Sequence, residues 1–104
     1  MYSMYLEGSK KIALEKDKKL EIEYYITENN QYIAEQLINV YGIKIINKIY
    51  DKGNIYYEVE SVKKISYSKD LIQRLLSKLI NHLVTPVCMI EIIDELISEM
   101  EEAN

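Results

Sequence analysis

Cysteine and histidine, the side chains most often used as nucleophile and base, occur once each in the 104-residue sequence. Cys88 follows Thr85 and Pro86, and His82 lies six residues before it. A helix N-terminus can lower the pKa of a thiol, and a nearby imidazole can accept its proton. These two residues therefore form the sharpest candidate for catalysis, a Cys–His dyad.

Packing accounts for Cys88 more simply than catalysis does. Its neighbours Val87, Met89 and Ile90 are apolar, and a free cysteine often behaves as a small buried hydrophobe. No Gly-rich elbow, oxyanion hole or second base accompanies it. We therefore predict a protein without catalytic residues, and a thiol enzyme is the third hypothesis.

Metal, cofactor and nucleotide sites find little support in the residue spacing. One His and one Cys cannot make a structural zinc site within the chain. Glu91, Asp94 and Glu95 share a helix face, where solvated acids are favoured over a loose Mg²⁺ or Ca²⁺ contact. The three glycines are isolated, so neither nucleotide fingerprint is present. We predict no metal and no cofactor.

The net charge of −4 is unevenly distributed along the chain. Residues 85–104 hold six acids and no base, whereas residues 1–84 are slightly basic. Such an acidic segment disfavours nucleic acid as a partner and favours a protein with a basic surface. The acids that we assign to protein binding are Glu91, Asp94, Glu95 and Glu99.

Tyrosine supplies all the aromatic rings, with ten Tyr and no Phe or Trp. Residue alternation predicts Tyr25, Tyr50 and Tyr56 on the outer sheet face, and Tyr24 and Tyr57 in the core. We assign the three outer tyrosines to protein binding, because Tyr combines a large apolar body with a polar tip. The alternative is stacking of single-stranded nucleic acid on this face. The acids predicted on the same face, which would repel phosphates, are Glu21, Glu23, Glu58 and Glu60.

The first half of the chain predicts strands. Residues 10–27 indicate a hairpin with its turn at 16–19, and residues 2–7 can add an edge strand. Residues 28–38 favour a short helix capped by Asn30 over a strand. The residues that alternate along one face of the second hairpin strand are Leu20, Ile22, Tyr24 and Ile26.

Residues 40–62 predict a second hairpin, with residues 51–54 as its turn and Gly53 free to adopt positive φ. On the return strand, the residues predicted to face inward are Ile55, Tyr57 and Val59, and those predicted to face outward are Tyr56, Glu58 and Glu60.

Two amphipathic helices follow the strands. The apolar arc predicted to be buried on the second helix consists of Met89, Ile90, Ile92, Ile93, Leu96, Ile97 and Met100. Ser68 is a good N-cap for the first helix, and Thr85 with Pro86 predicts the start of the second. We therefore predict a single α+β domain over residues 1–104. It has an antiparallel sheet of about four strands in two hairpins (1–65), then two antiparallel C-terminal helices packed on one sheet face (68–102).

A single cysteine excludes an internal disulfide, and no apolar run is long enough to span a membrane. The first residues do not resemble a secretory leader. These features predict a cytoplasmic protein that makes no membrane contact. A homodimer formed through an exposed sheet edge is compatible with the sequence.

Three short motifs stand out: a Tyr-Gly-Ile-x-Ile strand, a Glu-rich return strand before a Ser-capped helix, and a Val-Thr-Pro-Val helix start. Together they resemble a family of small proteins of unknown function from spore-forming, low-GC Gram-positive bacteria. The resemblance covers about residues 18–98 and brings no catalytic residues. It implies a bacterial cytoplasmic protein linked to sporulation or a mobile element. The matching positions are Tyr41, Gly42, Ile43, Ile45, Glu58, Ile65, Ser66, Val84, Thr85, Pro86 and Val87.

These observations together predict a non-enzymatic regulatory or adaptor protein that acts by protein–protein contact. The expected partner has a basic surface and handles DNA or RNA, as a recombinase, polymerase or sigma factor does.

Overall fold

The computed structural model describes the backbone of residues 2–102 and the side chains of residues 2–100. The outermost predicted positions, 1, 103 and 104, lie outside the described residues. Four strands come first, and two helices follow, with a short 3₁₀ turn before the second helix. The elements are β1 (Tyr2–Glu15), β2 (Lys18–Ile33), β3 (Gln36–Asp51), β4 (Asn54–Ser66), α1 (Lys69–Asn81), the 3₁₀ turn (Pro86–Cys88) and α2 (Met89–Glu102).

The strands form one antiparallel sheet in the order β1-β2-β3-β4. The predicted α+β class, with about four antiparallel strands before two helices, is confirmed. The two predicted hairpins are joined into a continuous meander, because β2 also pairs with β3 from Lys18–Asp51 to Ile33–Gln36.

Residues 28–38 form the end of one strand, a turn and the start of the next strand, so the predicted short helix is wrong. β2 runs to Ile33 and β3 begins at Gln36, with Ala34 and Glu35 as a two-residue turn at φ 50° and 66°. Turns with two positive φ values usually contain Asn or Gly, and this pair therefore gives no turn signal. Continuous pairing with β3 outweighs the weak helix propensity of the segment.

Residues 30–39 form a two-stranded arm that extends beyond the sheet. β1 begins opposite Asn29, and β4 ends opposite Tyr41, so neither outer strand flanks this part of β2 and β3. Tyr32 in the arm is 77% exposed. The arm contributes to an elongated molecule of 54 × 33 × 18 Å.

One side of the sheet packs against both helices and forms the core. The alternation predicted for β2 is confirmed, because Ile22, Tyr24 and Ile26 are fully buried. Burying a large aliphatic side chain stabilises the fold by about 1.5–3 kcal/mol. The other fully or nearly fully buried core members are Ile43, Ile45, Ile72, Leu75, Leu76, Leu79, Val84, Met89, Ile93 and Leu96. The opposite side of the sheet, which we call the outer face, carries no helix.

The side chains of β4 lie on the opposite faces of the sheet from those predicted. Its turn has two residues, Lys52 and Gly53, because Asp51 pairs with Asn54. Directly paired residues share a sheet face, and Tyr56 pairs with Ile49 on the helix-bearing side. The four-residue turn predicted at 51–54 would pair Tyr50 with Ile55, as the structure does, so turn length is not the cause. The prediction placed the apolar residues of β4 inward, although their partners on β3 lie on the outer face. The residues that lie on the outer face are Ile55, Tyr57 and Val59, and those on the helix-bearing side are Tyr56, Glu58 and Glu60.

Gly42 lets the end of β4 cross close to β3. A Cβ at this position would collide with the carbonyl oxygen of Val62 and lie 2.7 Å from that of Lys63. The register of β4 shifts at this point, between the partners of Tyr41 and Ile43. Thr27, directly opposite Gly42 on β2, is fully buried beneath this crossing.

The two helices start differently. Ser68 caps α1 as predicted, since its hydroxyl accepts a hydrogen bond from the Leu71 N–H at 3.2 Å. Thr85 makes no side-chain cap, and Pro86 opens the 3₁₀ turn rather than α2 itself. α2 therefore begins three residues later than predicted, at Met89.

Candidate protein-binding surfaces

Cys88 and His82 do not form the catalytic dyad that their spacing allows. The Cys88 thiol donates to the Thr85 carbonyl at 3.5 Å and lies 3.6 Å from the Thr85 hydroxyl. His82 is the C-cap of α1 and is exposed, and no hydrogen bond joins it to Cys88 in the described part of the chain. The contacts of the thiol are therefore local and connect it to its own 3₁₀ turn.

Tyr24, an ionisable side chain near Cys88, is fully buried. Its hydroxyl donates to the Val84 carbonyl at 2.9 Å. Burial raises the pKa of Tyr24 to about 12, and the nearby Cys88 contributes to the same shift. The hydroxyl therefore remains protonated and serves as a structural hydrogen-bond donor.

The described residues contain no group of three or more His, Cys, Asp or Glu side chains that could hold a metal ion. Within residues 2–102, no helix is long and apolar enough to cross a membrane.

The outer face contains two of the three predicted tyrosines. Tyr50 donates to a Glu21 carboxylate oxygen at 3.3 Å, and the Lys19 ammonium lies 4.6 Å from the centre of its ring. Desolvation and then Glu21 raise the pKa of Tyr50. Desolvation and then Glu23 likewise raise the pKa of Tyr25. Both rings are partly buried among charged neighbours, so only part of each ring is free to contact a partner.

Charges on the outer face are interleaved rather than of one sign. Lys48 lies 3.9 Å from Glu23, and Lys19 lies 3.9 Å from Glu21. Such exposed pairs contribute only about 0–1 kcal/mol each. Their importance here is that acids stand between the lysines, which weakens the attraction of this face for a phosphate backbone.

Tyr56, the third predicted tyrosine, lies on the helix-bearing side because of the phase of β4. Sequence reasoning placed Ile55, Tyr57 and Val59 in the core, whereas the structure exposes all three on the outer face. The signal that could have found them is the pairing across the turn, which places Ile55 opposite Tyr50 and therefore on the outer face.

The acids predicted on the second helix form an exposed surface, which we call the acidic face. It consists of Glu91, Asp94, Glu95 and Glu99. The ion pairs formed by the described side chains join Lys19–Glu21, Lys48–Glu23 and Asp70–Arg74, so none of them involves the acidic face. The described part of α2 contains no Lys or Arg, and its negative field is not compensated within the helix. The side chains of Glu101 and Glu102 lie outside the described set.

Two apolar side chains border the acidic face. Val87 is 79% exposed and Ile90 is 49% exposed. Ile90 lies one helical turn before Asp94, so the apolar and acidic groups adjoin along α2. Sequence reasoning assigned Ile90 to the buried arc of the helix, which is wrong, because α2 is rotated so that Ile93 and Leu96 face the sheet.

The chain matches, over residues 3–99, the family described as a family of unknown function, DUF6514, and it therefore belongs to that family. The expected membership in an uncharacterised protein family is confirmed at this level. No curated protein and no solved structure shows significant similarity to the chain.

Proposed function

We propose that this member of the DUF6514 family is a non-enzymatic regulatory or adaptor protein, and that its acidic face binds a basic surface on another protein. The observation that carries the proposal is the combination of four exposed acids, which form no ion pair among the described residues, with the exposed Val87 and Ile90.

The two parts of this surface have different physical roles. Clustered acids attract a basic partner from a distance and orient it, which raises the association rate. Apolar side chains supply the contact area that holds a complex together after the encounter. Val87 and Ile90 offer such area directly beside the acids, where a basic and partly apolar surface can cover both.

The helix tolerates an electrostatic cost at this surface. Glu99 lies near the C-terminal end of α2, where the macrodipole is negative, and no base compensates it there. Each such acid weakens the helix end by roughly 0.3–1 kcal/mol. A basic partner would reverse this effect, so binding should also stabilise the last turns of α2.

The partner that we favour is a protein that handles DNA or RNA, such as a recombinase, polymerase or sigma factor, because such proteins present basic surfaces. We place the function in the cytoplasm of a spore-forming bacterium, in sporulation or in a mobile element. The outer face, with Tyr25 and Tyr50, is a second contact surface in this proposal.

The test compares two variants that lose the same formal charge. In the first, the acidic face is neutralised by Glu91→Gln, Asp94→Asn, Glu95→Gln and Glu99→Gln. In the matched control, four exposed acids outside α2 are neutralised by Glu7→Gln, Glu15→Gln, Asp17→Asn and Glu35→Gln. Partners captured from native cells are identified by mass spectrometry, and the binding of each purified partner is then measured against salt concentration.

We expect a partner that binds the wild-type chain and the control but binds the α2 variant at least tenfold more weakly, a loss of about 1.4 kcal/mol. Its affinity should fall as salt rises. Equal binding of both variants would overturn the proposal, as would the absence of any protein that binds the purified wild-type chain.

A further inference from the structure

β4 is an edge strand of the sheet, and its first half lacks three of the features that commonly protect such edges. Residues 54–60 contain no bulge, proline or lysine. The opposite edge strand, β1, has two register shifts and carries Lys10 and Lys11. Bulges and lysines are the usual means of blocking strand-to-strand association, so the two edges differ in their capacity to pair.

Both sides of this open edge are accessible. Tyr56 is 54% exposed on the helix-bearing side, and Tyr57 is 62% exposed on the outer face. The helices therefore leave room beside β4 for another strand. Ile55 and Val59, which flank Tyr57 on the outer face, are also exposed.

The backbone groups that face the open side can be assigned from the hairpin. Asp51 and Asn54 flank a two-residue turn and bond to each other, so alternate residues of β4 direct their N–H and C=O groups away from β3. These residues are Ile55, Tyr57 and Val59. The Ser61 N–H points to the same open side as these residues, and it donates a hydrogen bond to a Glu60 carboxylate oxygen at 3.1 Å. That bond closes the edge at Ser61 and leaves residues 54–60 as the open stretch.

We propose that a second copy of this chain pairs with the open stretch, β4 against β4 in antiparallel orientation, to form a continuous eight-stranded sheet. The two-fold axis passes through the pair of Tyr57 residues. Ile55 of each copy then lies opposite Val59 of the other, and Tyr56 lies opposite Glu58. Cross-strand apolar and aromatic pairs of this kind stabilise sheets.

Charge selects this register over its neighbours. If the two-fold axis passed through residue 58, Glu58 of one copy would lie opposite Glu58 of the other, and the Ser61 N–H would have to leave its bond to Glu60. If the axis passed through residue 56, only residues 54–58 of each copy would be paired. In the proposed register no acid lies opposite an acid, and the carboxylate of Glu58 already accepts a hydrogen bond from the Asn47 side chain at 3.0 Å.

The inference concerns a different surface from the acidic face and does not rest on the proposed function. Sedimentation of the full chain over a range of concentrations tests it first. We expect a species of about twice the 12.3 kDa chain mass. Val59→Lys should raise the dimer dissociation constant by about tenfold or more. A lysine on an edge strand opposes strand pairing, and the two-fold symmetry places one such lysine at each end of the interface.

Leu6→Lys is the matched control, because Leu6 is an exposed apolar residue of the outer face on the β1 edge. It should leave the dissociation constant unchanged. Circular dichroism of both variants verifies that the sheet is retained. A chain that sediments as a monomer throughout, or a dimer that Val59→Lys does not weaken, would overturn the inference.

Disulfide trapping tests the register itself. In a Cys88→Ser background, Tyr57→Cys should oxidise to a covalent dimer, because directly opposed Cα atoms lie about 5.5 Å apart, within the range that a disulfide spans. Tyr56→Cys and Glu58→Cys should react poorly, since their counterparts are displaced along the strand. Preferential cross-linking through residue 56 or 58 would show that the proposed register is wrong.

Discussion

The Tyr24 hydroxyl donates a buried hydrogen bond of 2.9 Å to the Val84 carbonyl, and this bond joins the middle of the sheet to the corner between the helices. Tyr24 is fully buried on β2, whereas Val84 lies three residues after the end of α1, in the segment that leads to α2. A residue in the first quarter of the chain therefore anchors the connection between the two helices.

Tyr24→Phe should lower the free energy of unfolding by about 1–2 kcal/mol at neutral pH, because the Val84 carbonyl loses its donor while the ring still fills the core. Burial raises the pKa of Tyr24 from 10.0 to about 12. The contribution of the neutral hydroxyl is therefore complete below pH 10 and disappears as the pH rises to 12. Denaturant titrations of both proteins between pH 7 and pH 12 measure this difference.

The difference in stability between wild type and Tyr24→Phe should narrow above pH 10, and the other ionising groups cancel in the comparison because both proteins contain them. A difference that stays constant up to pH 12 would contradict the role assigned to the hydroxyl.

Leu83 occupies a left-handed conformation at φ 53°, just after the C-cap of α1. The Val84 N–H bonds to the Leu79 carbonyl and the Leu83 N–H bonds to the Ile80 carbonyl, which is the Schellman arrangement. Glycine is the usual residue at this position, and Leu83→Gly should therefore raise the free energy of unfolding by about 1 kcal/mol. Thermal and urea unfolding measure the change.

Leu83→Ala serves as the control for this prediction, because it removes the exposed side chain but keeps the left-handed penalty. A glycine variant no more stable than the alanine variant would count against a conformational cost at this position.

Ala34 and Glu35 also hold positive φ values, at the tip of the arm. Ala34→Asn with Glu35→Gly supplies the residues that this turn favours and should stabilise it by about 1–2 kcal/mol. Because the arm is two-stranded and can open locally, the effect should appear as slower amide exchange in residues 30–39 more than as a change in global unfolding. Ala34→Val should act in the opposite direction, and similar exchange rates in all three proteins would refute the prediction.

Thr27 is fully buried, and its hydroxyl has no hydrogen-bond partner among the described residues. An unpaired buried hydroxyl costs roughly 1–3 kcal/mol. Thr27→Val keeps the shape and removes the polar group, so it should raise the free energy of unfolding by about 1 kcal/mol. Thr27→Ser keeps the hydroxyl and loses a methyl group, so it should lower stability. Chemical denaturation of the two variants provides the measurement, and a less stable valine variant would show that the hydroxyl is satisfied.

Cys88 should behave as an ordinary, partly shielded thiol. Its hydrogen bonds go to Thr85, and no base contacts it within the described part of the chain. We expect iodoacetamide to modify native Cys88 at pH 7 no faster than it modifies free cysteine, and unfolding in urea should accelerate the reaction. Replacing His82 by Ala should leave the native rate unchanged. Rapid modification that depends on His82 would restore the thiol-enzyme hypothesis.

Alternation was sufficient to predict the centre of the sheet. Ile22, Tyr24 and Ile26 alternate with polar residues and are buried as expected, since a strand with one covered face must follow a period of two. The start of α1 at the Ser68 cap could also be predicted from the sequence, because a hydroxyl just before an apolar helical pattern can accept a hydrogen bond from a free N–H of the first turn.

The candidate surfaces were only partly predictable, because apolar alternation does not show which face of an edge strand is covered. The prediction placed Tyr57 inward, although pairing across the turn at Gly53 puts Tyr57 opposite Lys48 on the outer face and Tyr56 opposite Ile49. The arm was missed because Ala34 and Glu35 adopt conformations that their residue types rarely take. On α2, the acids were placed correctly on the exposed side, but Ile90 was not, since helix rotation is set by contacts with the sheet.

During synthesis, all four strands leave the ribosome before the helices that cover them. About thirty residues separate the end of β4 from Leu96, which corresponds to roughly 2–6 s of translation. Because the core contains residues of the sheet and of both helices, the Ile22–Tyr24–Ile26 side of the sheet can be fully covered only after α2 has left the ribosome.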